Sequence, residues 1–162
     1  MIELAQTLLS IAKDKHLMIA TAESCTGGMV GAAITDIPGS SAIFDRGFVT
    51  YTNAAKAQML GVKVPTLDTH GAVSEQVAAE MACGALAASN AQIAVAVTGI
   101  AGPGGSDHKP EGRVCFATAT ANSCATQTVD FGALGRDVVR QEATQTALTL
   151  LLEAAVSFSM KI

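Results

Sequence analysis

The spacing of hydrophobic residues along this chain alternates between a helical period and short continuous apolar runs. Near the amino terminus, apolar side chains recur every three or four residues and predict a helix with one buried face. The same period returns after Ser74, a residue suited to cap a helix, and in a long final segment. Pro38 with Gly39, and Gly61, end two shorter helical patterns. The predicted helices cover 2–14, 28–35, 54–60, 75–86 and 137–158.

Short apolar runs between these helices predict the strands of a sheet. These runs are Leu17–Ala22, Phe48–Tyr51, Ile93–Val97, Gly112–Ala119 and Thr126–Phe131. The last two follow one another closely and are expected to pair antiparallel. Interleaved helices and strands, without repeats or a linker, predict one α/β domain over 1–162. We expect a three-layer α/β/α sandwich with a mixed sheet of about five or six strands.

Composition and charge narrow the functional classes. The chain is 49% apolar and 15% charged, which excludes disorder by composition, and its net charge of −4 argues against nucleic acid as a partner. The most apolar late stretch, Ala147–Phe158, is too short to span a membrane and contains Glu153, so we expect no membrane association. That helix is expected to be buried or to face another subunit of a homo-oligomer. The amino terminus lacks a signal peptide pattern and the cysteines form no C-x-x-C pair, which favours reduced thiols and a cytoplasmic location.

A polar run follows the first predicted strand directly. Thr21-Ala-Glu-Ser-Cys-Thr-Gly-Gly28 carries small hydroxyl side chains and two glycines into a helical pattern. The unpaired N–H groups at a helix start suit a phosphate, a carboxylate or a developing oxyanion, so Ser24 is a candidate nucleophile. An ordinary capped turn fits the same residues, because Ser and Thr are common N-caps.

A second glycine-rich loop, Thr98-Gly-Ile-Ala-Gly-Pro-Gly-Gly105, follows the strand that ends at Val97. Ligands collect beyond the carboxyl ends of strands in open α/β sheets, so we expect both loops to face one pocket. Neither loop matches the P-loop or the dinucleotide-binding fingerprint. The two loops therefore predict a small-molecule site that is not specific for ATP or NAD.

Three further side chains extend the candidate chemistry. Lys56 and Tyr51, the only tyrosine, lie across a strand-to-helix junction and are expected at the same sheet edge as Ser24. A lysine acts as a base only when its pKa falls from ~10.4 toward ~7–8, and a solvated helix lysine is the alternative. Cys25 is a rival nucleophile, since a helix start favours a thiolate. The histidines have no metal-ligand spacing, so no metal is predicted, and a triad through His70 lacks the Gly-x-Ser-x-Gly motif.

Several of these motifs, in the same order along nearly the whole chain, resemble the CinA C-terminal domain family, in particular its stand-alone nicotinamide-nucleotide amidases. The matching segments are Thr21–Gly28, Ile37–Ser41, Arg46–Tyr51 with Asn53 and Lys56, His70–Ser74, and Thr98–Pro103. The resemblance implies hydrolysis of the carboxamide of nicotinamide mononucleotide (NMN) in pyridine-nucleotide salvage, without a cofactor. It also implies that the pyrophosphatase-like domain of longer relatives is absent.

The resemblance assigns a role to each matched residue. Ser24 would be the nucleophile, Lys56 its base, and Tyr51 would assist proton transfer. The residues expected to bind substrate are Cys25, Thr26, Gly27, Gly28, Thr98, Gly99 and Gly102. Apart from the resemblance, the N–H groups near Thr26 to Gly28 are suited to hold the oxyanion. The cations considered for the substrate phosphate are Lys109, Arg113, Arg136 and Arg140, with solvation at the surface as the alternative for each. A non-catalytic nucleotide-binding or regulatory module is the alternative.

Overall fold

A computed structural model describes residues 1–106 and 108–159; the domain predicted over 1–162 therefore includes Asp107 and 160–162, which lie outside the described residues. The strands are β1 (Ile19–Glu23), β2 (Phe44–Val49), β3 (Ile93–Gly99), β4 (Arg113–Thr120) and β5 (Ser123–Asp130). The helices are α1 (Ile2–Asp14), α2 (Met29–Thr35), α3 (Asn53–Leu60), α4 (Val64–His70), α5 (Glu75–Ala87) and α6 (Arg136–Ser157), with a 3₁₀ turn at Ser40–Ala42.

The strands form one sheet in the order β2-β1-β3-β4-β5. Strand β1 lies parallel to both β2 and β3, whereas β4 is antiparallel to β3 and to β5. The α/β fold with a mixed sheet predicted from the sequence is thus confirmed, and the antiparallel pair is the predicted one. Because β1, β2 and β3 run in the same direction, their carboxyl ends meet at one edge of the sheet.

Two hydrophobic clusters cover the two faces of the sheet and make the sandwich three layers thick. Large side chains such as Leu8, Phe116 and Leu151 fill the face under α1, α2 and α6. On the other face, the alanines of β1 and β3 pack against α5 around Met81. Small residues on this face let α5 approach the sheet closely. The buried residues of α6 confirm that its apolar stripe belongs to the core.

Two strands begin well before their predicted starts, and one helix was not predicted. Strand β2 begins at Phe44, four residues before the predicted start, and ends at Val49, two residues before the predicted end. Asp45, Arg46 and Gly47 obscure the apolar pattern of this edge strand. Strand β5 begins at Ser123, three residues before the predicted start, because its largely exposed first residues have no continuous apolar run. Helix α4 was not predicted, although Pro65 in its first turn is a helix-start signal. Within the described ranges, no helix has the length and apolar character needed to cross a membrane.

Candidate active site

The side chains of Ser24 and Lys56 meet at the edge where the parallel strands end. Lys56 Nζ lies 3.0 Å from Ser24 Oγ and donates a hydrogen bond to it. The backbone fixes this position, since Ser24 N–H donates to Val97 O at 2.9 Å and Thr50 N–H donates to Glu23 O at 2.9 Å. The turns that follow β1, β2 and β3 are thereby tied together beneath the Ser–Lys pair.

Helix α3 delivers Lys56 into the interior. The helix is capped by Thr52, whose Oγ1 accepts the Ala55 N–H at 3.1 Å. From the first turn, the Lys56 side chain reaches back to the loop before the helix, where Nζ donates to Thr50 O at 2.8 Å and Tyr51 O at 3.4 Å. Only 1% of the lysine is exposed. The alternative of a solvated helix lysine is therefore excluded.

Burial changes the acid–base behaviour of this lysine. Because an ammonium ion is poorly solvated in the interior, burial lowers the pKa of Lys56 to about 8, while the nearby Cys25 opposes the shift slightly. Its contacts are carbonyl and hydroxyl oxygens, with no carboxylate among the described residues bonded to Nζ. About a tenth of Lys56 is then neutral at pH 7, and this neutral form is the one that acts as a general base.

The thiol of Cys25 has the opposite tendency. The residue is buried, and burial raises the pKa of Cys25 to about 11, although the charges of Lys56 and Arg140 work against the increase. The thiolate expected at a helix start is thus disfavoured here. Ser24, rather than Cys25, has the base within hydrogen-bond distance.

A cavity of about 330 Å³ opens directly above the Ser–Lys pair. Its volume lies at the lower end of the range for small-molecule sites. Of the residues expected to bind substrate, four line this cavity: Cys25, Thr98, Gly99 and Gly102. The other three, Thr26, Gly27 and Gly28, are absent from its lining, because the chain turns into α2 behind the cavity wall. Thr98 Oγ1 donates to Ala72 O at 2.9 Å, which joins the glycine loop to the segment before α5.

Tyr51 and Arg136 lie at the mouth of this cavity. Tyr51 is 55% exposed, and its hydroxyl accepts a hydrogen bond from Arg136 Nη2 at 2.8 Å. The same guanidinium donates through Nη1 to Gly102 O at 2.9 Å. The phenol oxygen thus contacts Arg136, whereas the backbone carbonyl of Tyr51 contacts the catalytic-candidate lysine.

Of the four cations considered for the substrate phosphate, one lines the cavity and three bind other protein groups. Arg136 lines the cavity. Arg113 pairs with Asp130 at 2.8 Å, Arg140 donates from Nε to Cys25 O at 3.0 Å, and Lys109 donates to the carbonyls of His70 and Val73. Arg136 is therefore the cation placed to meet an anionic group of a ligand in the cavity.

A second cavity, of about 400 Å³, lies at the opposite end of the sheet, between the β4–β5 hairpin and the end of α6. Glu153 is the charged residue in its lining, which otherwise consists of polar and apolar side chains. It contains neither a nucleophile–base pair nor a cation for a phosphate, so the Ser24 cavity is the candidate active site. In the part of the chain that the structure describes, no cluster of three His, Cys, Asp or Glu residues is arranged to hold a metal.

The comparison with known protein families agrees with the motifs and the fold. A sequence model described as the CinA C-terminal domain matches residues 1–155. This chain belongs to the CinA C-terminal domain family. Among curated relatives, it is 52% identical over 152 residues to nicotinamide-nucleotide amidohydrolase PncC of Escherichia coli (strain K12), covering 93% of this chain and 92% of that protein.

Solved structures of the CinA family have the same fold. The competence/damage inducible protein CihA from Agrobacterium tumefaciens superposes with a TM-score of 0.91 at 52% identity, covering 93% of both chains. The competence damage-inducible protein A (ComA) from Klebsiella pneumoniae subsp. pneumoniae MGH 78578 has a TM-score of 0.93 at 37% identity, covering 97% of this chain and 98% of that one. The similarity therefore extends over the whole α/β domain.

In this CinA domain, Glu23 and Arg140 support the site through contacts that were not predicted from the sequence. Glu23 lies buried between β1 and α2, and its carboxylate accepts the Thr26 hydroxyl at 2.7 Å and several backbone N–H groups of α2. Arg140, considered for phosphate binding, instead holds the carbonyls of Cys25 and Thr26. The sequence signal available for Glu23 was a charged residue at the end of an apolar strand, directly before Ser24. A charged side chain in such a strand is seldom exposed to solvent.

Proposed function

We propose that this protein is an amidohydrolase that converts NMN to nicotinate mononucleotide and ammonia, in the salvage of pyridine nucleotides. The observation that carries the proposal is the buried Ser24–Lys56 pair, with 3.0 Å between Oγ and Nζ, at the base of a cavity. The identity of 52% to a relative named nicotinamide-nucleotide amidohydrolase supports the same substrate.

In the first half of the reaction, neutral Lys56 accepts the Ser24 proton while Oγ attacks the carboxamide carbon. The carbonyl oxygen becomes an oxyanion, which requires nearby N–H donors. Lys56 then gives its proton to the amide nitrogen, the C–N bond breaks, and ammonia leaves an acyl-serine ester. In the second half, Lys56 takes a proton from water, the hydroxide attacks the ester, and the proton returns to Ser24 as nicotinate mononucleotide departs.

Two residues at the cavity mouth support a nucleotide substrate in this mechanism. Arg136 carries a fixed positive charge that suits a phosphate, and its contacts with Tyr51 and Gly102 hold it at the opening. Tyr51 also orients the base, because its carbonyl accepts from Lys56 Nζ at 3.4 Å. We propose that Tyr51 assists proton transfer once substrate has drawn Arg136 away from the phenol oxygen.

The test compares ammonia release from NMN by the wild type and by Ser24→Ala and Lys56→Ala. Each substitution is expected to lower kcat by at least about a thousandfold, because nucleophile and base act as one unit. Ser10→Ala and Lys13→Ala, both on the exposed face of α1, are matched controls that should keep full activity. Circular dichroism verifies that each variant is folded.

Full activity in either Ser24→Ala or Lys56→Ala would contradict the assignment. Binding of NMN by the wild type without ammonia release would favour the alternative of a non-catalytic nucleotide-binding module. Self-association and a cytoplasmic location stay predictions.

A further inference from the structure

Directly before the proposed nucleophile lies a carboxylate that is enclosed by protein. Glu23 is the last residue of β1 and is 1% exposed. Neither ion pair among the described residues involves it, since these join Asp45 to Arg46 and Asp130 to Arg113. A buried carboxylate without a cation is strongly destabilising unless its oxygens accept hydrogen bonds. Its hydrogen-bond partners therefore explain why it is retained at this position.

Both oxygens of Glu23 are occupied by donors from the turn and from α2. Oε1 accepts from Thr26 Oγ1 at 2.7 Å, Gly28 N at 3.2 Å and Val30 N at 2.9 Å. Oε2 accepts from Gly31 N at 3.0 Å and Thr21 Oγ1 at 3.4 Å. Helix α2 begins after a glycine that has no side chain to cap it. Glu23 thus caps the helix from inside the strand.

This capping changes which N–H groups are available to an oxyanion. The Gly27 N–H donates to Ser24 O at 3.0 Å, and the Gly28 N–H donates to Glu23, so neither of these expected donors is free. The Thr26 N–H has no bond to another residue in the described ranges, but Thr26 does not line the cavity. Within the same ranges the Cys25 N–H also has none, and Cys25 lines the cavity. It belongs to the residue after the nucleophile, whose N–H forms part of the oxyanion hole in serine hydrolases with a nucleophile at a strand-to-helix turn.

The turn is also held from its other side. Arg140 of α6 donates to Cys25 O at 3.0 Å and to Thr26 O at 3.3 Å. The carbonyls are therefore fixed by a cation and the downstream N–H groups by a carboxylate. Donors that are fixed before the reaction stabilise a developing charge without reorganisation.

We propose that Glu23 is a positioning residue: by taking the donors of α2, it fixes the turn over 24–28 and leaves the Cys25 N–H to receive the oxyanion. This inference rests on the proposed amidohydrolase function, because it concerns the same reacting oxygen. Glu23 itself does not line the cavity.

The test replaces the carboxylate by its isosteric amide, Glu23→Gln. An amide has one acceptor oxygen, and its NH₂ group faces N–H donors, so one side of the cap is lost. The kcat for NMN is expected to fall about tenfold to a hundredfold, since displacement of a catalytic group by about 1 Å has an effect of that order. The KM is expected to change less than about twofold, because the cavity lining is intact.

The chain contains a matched control for the structural effect alone. Glu80 caps α4, also a seven-residue helix, by accepting from Lys63 N at 2.8 Å and from Thr66 Oγ1 at 2.7 Å. It lies outside the cavity. Glu80→Gln is expected to lower the Tm as a lost cap does, and to keep kcat within about twofold of the wild type. Equal losses of kcat in Glu23→Gln and Glu80→Gln would reduce Glu23 to a structural role and overturn the inference.

A second measurement separates this inference from the proposed function. A fluorophosphonate phosphonylates an activated serine, with fluoride as the leaving group, and this reaction also needs an oxyanion hole. The rate of labelling at Ser24 is followed by intact mass, with Ser24→Ala as the blank. If the wild type releases no ammonia from NMN, the proposed function fails, and labelling still decides the inference. We then expect Glu23→Gln to react about tenfold more slowly than the wild type and Glu80→Gln. A wild type that neither releases ammonia nor is labelled overturns both.

A folded Glu23→Gln variant with wild-type kcat and labelling rate, or one whose loss lies entirely in KM, also overturns the inference. Should Glu23→Gln fail to fold, Thr26→Val takes its place, because it removes the 2.7 Å donor while keeping the side-chain shape. Its kcat is expected to fall several-fold with KM unchanged, and an unchanged kcat would count against Glu23.

Discussion

For single residues, burial has opposite effects on the two ionisable groups beside Ser24. The ammonium of Lys56 loses solvation and releases its proton more readily, because burial lowers its pKa to about 8. The thiol of Cys25 holds its proton more tightly, because burial raises its pKa to about 11. One environment therefore creates a base and suppresses a competing nucleophile. This combination favours attack by an oxygen rather than by sulfur.

The pH dependence of the reaction follows from the lysine. The neutral form of Lys56 is the active one, so kcat/KM for NMN is expected to rise as pH increases through about 8 and to level off above it. Initial rates of ammonia release between pH 6 and 10 measure this profile. A rate that falls through the same interval would contradict a lysine base.

Substitution of the neighbouring thiol checks the nucleophile. Because burial raises the pKa of Cys25 to about 11, Cys25→Ser is expected to keep kcat within about threefold of the wild type. The measurement is the NMN assay, with Ser24→Ala as the inactive reference. A Cys25→Ser variant as inactive as Ser24→Ala would show that sulfur performs the attack.

The sequence indicated Ser24 because it lies at a strand-to-helix junction, a local pattern, whereas Lys56 was favoured over a solvated lysine only through the motif that it shares with the CinA family. It gave no such indication for Glu23 or for the contacts of Arg140. The role of a charged side chain depends on the residues that surround it in the fold. The partners of Arg140 lie more than a hundred residues away along the chain. Local patterns contain no information on such contacts.

For whole elements, Gly84 marks a close approach between α5 and the end of α3. A Cβ atom added at Gly84 would lie 1.9 Å from the backbone oxygen of Leu60. Glycine in a helix interior is usually unfavourable by roughly 1 kcal/mol relative to alanine. Here it is required, because no larger residue fits between the two helices.

Gly84→Ala is accordingly expected to destabilise the protein by about 2–3 kcal/mol, as overpacking of a core does, despite its better helix propensity. Unfolding by urea, followed by circular dichroism, measures the difference. Gly61→Ala, next to Leu60, is the control without a steric clash, because a Cβ atom there meets no atom within 4 Å. Only the φ of +68° disfavours this alanine, and it destabilises the protein by about 1 kcal/mol. A Gly84→Ala variant as stable as the wild type would contradict the packing.

The elements themselves were largely predictable, because α1, α5 and α6 have clear apolar faces and β3 is continuously apolar. Strand β2 was placed too late, since an edge strand with partly exposed faces has no clean pattern. Helix α4 is seven residues long, too short for a helical period to be recognised. The order of the strands in the sheet is a tertiary property, and the sequence patterns did not predict it.

For the whole molecule, the buried lysine couples the active site to stability. The folded protein holds a proton on Lys56 less tightly than the unfolded chain does, with the pKa lowered from 10.5 to about 8. The unfolded state therefore binds more protons between these values, and the contribution of Lys56 to the free energy of unfolding rises with pH across this window.

Lys56→Met removes this titration. The difference in free energy of unfolding, wild type minus Lys56→Met, is expected to increase from pH 8 to pH 10, since groups that do not interact with Lys56 titrate alike in both proteins. Urea unfolding of both proteins at pH 7, 8, 9 and 10 gives the difference. A value that stays constant over this range would mean that the lysine ionises normally.

The cavity and the β4–β5 turn lie at opposite ends of the mixed sheet. Strand β4 starts beside the cavity and runs antiparallel to β3, so the β4–β5 turn at Ala121 and Asn122 lies at the end remote from the Ser24 cavity, and both residues are exposed. A reporter protein or a surface tether inserted there would leave the opening of the cavity facing the medium. The antiparallel hairpin thus provides an attachment handle for immobilising a working catalyst.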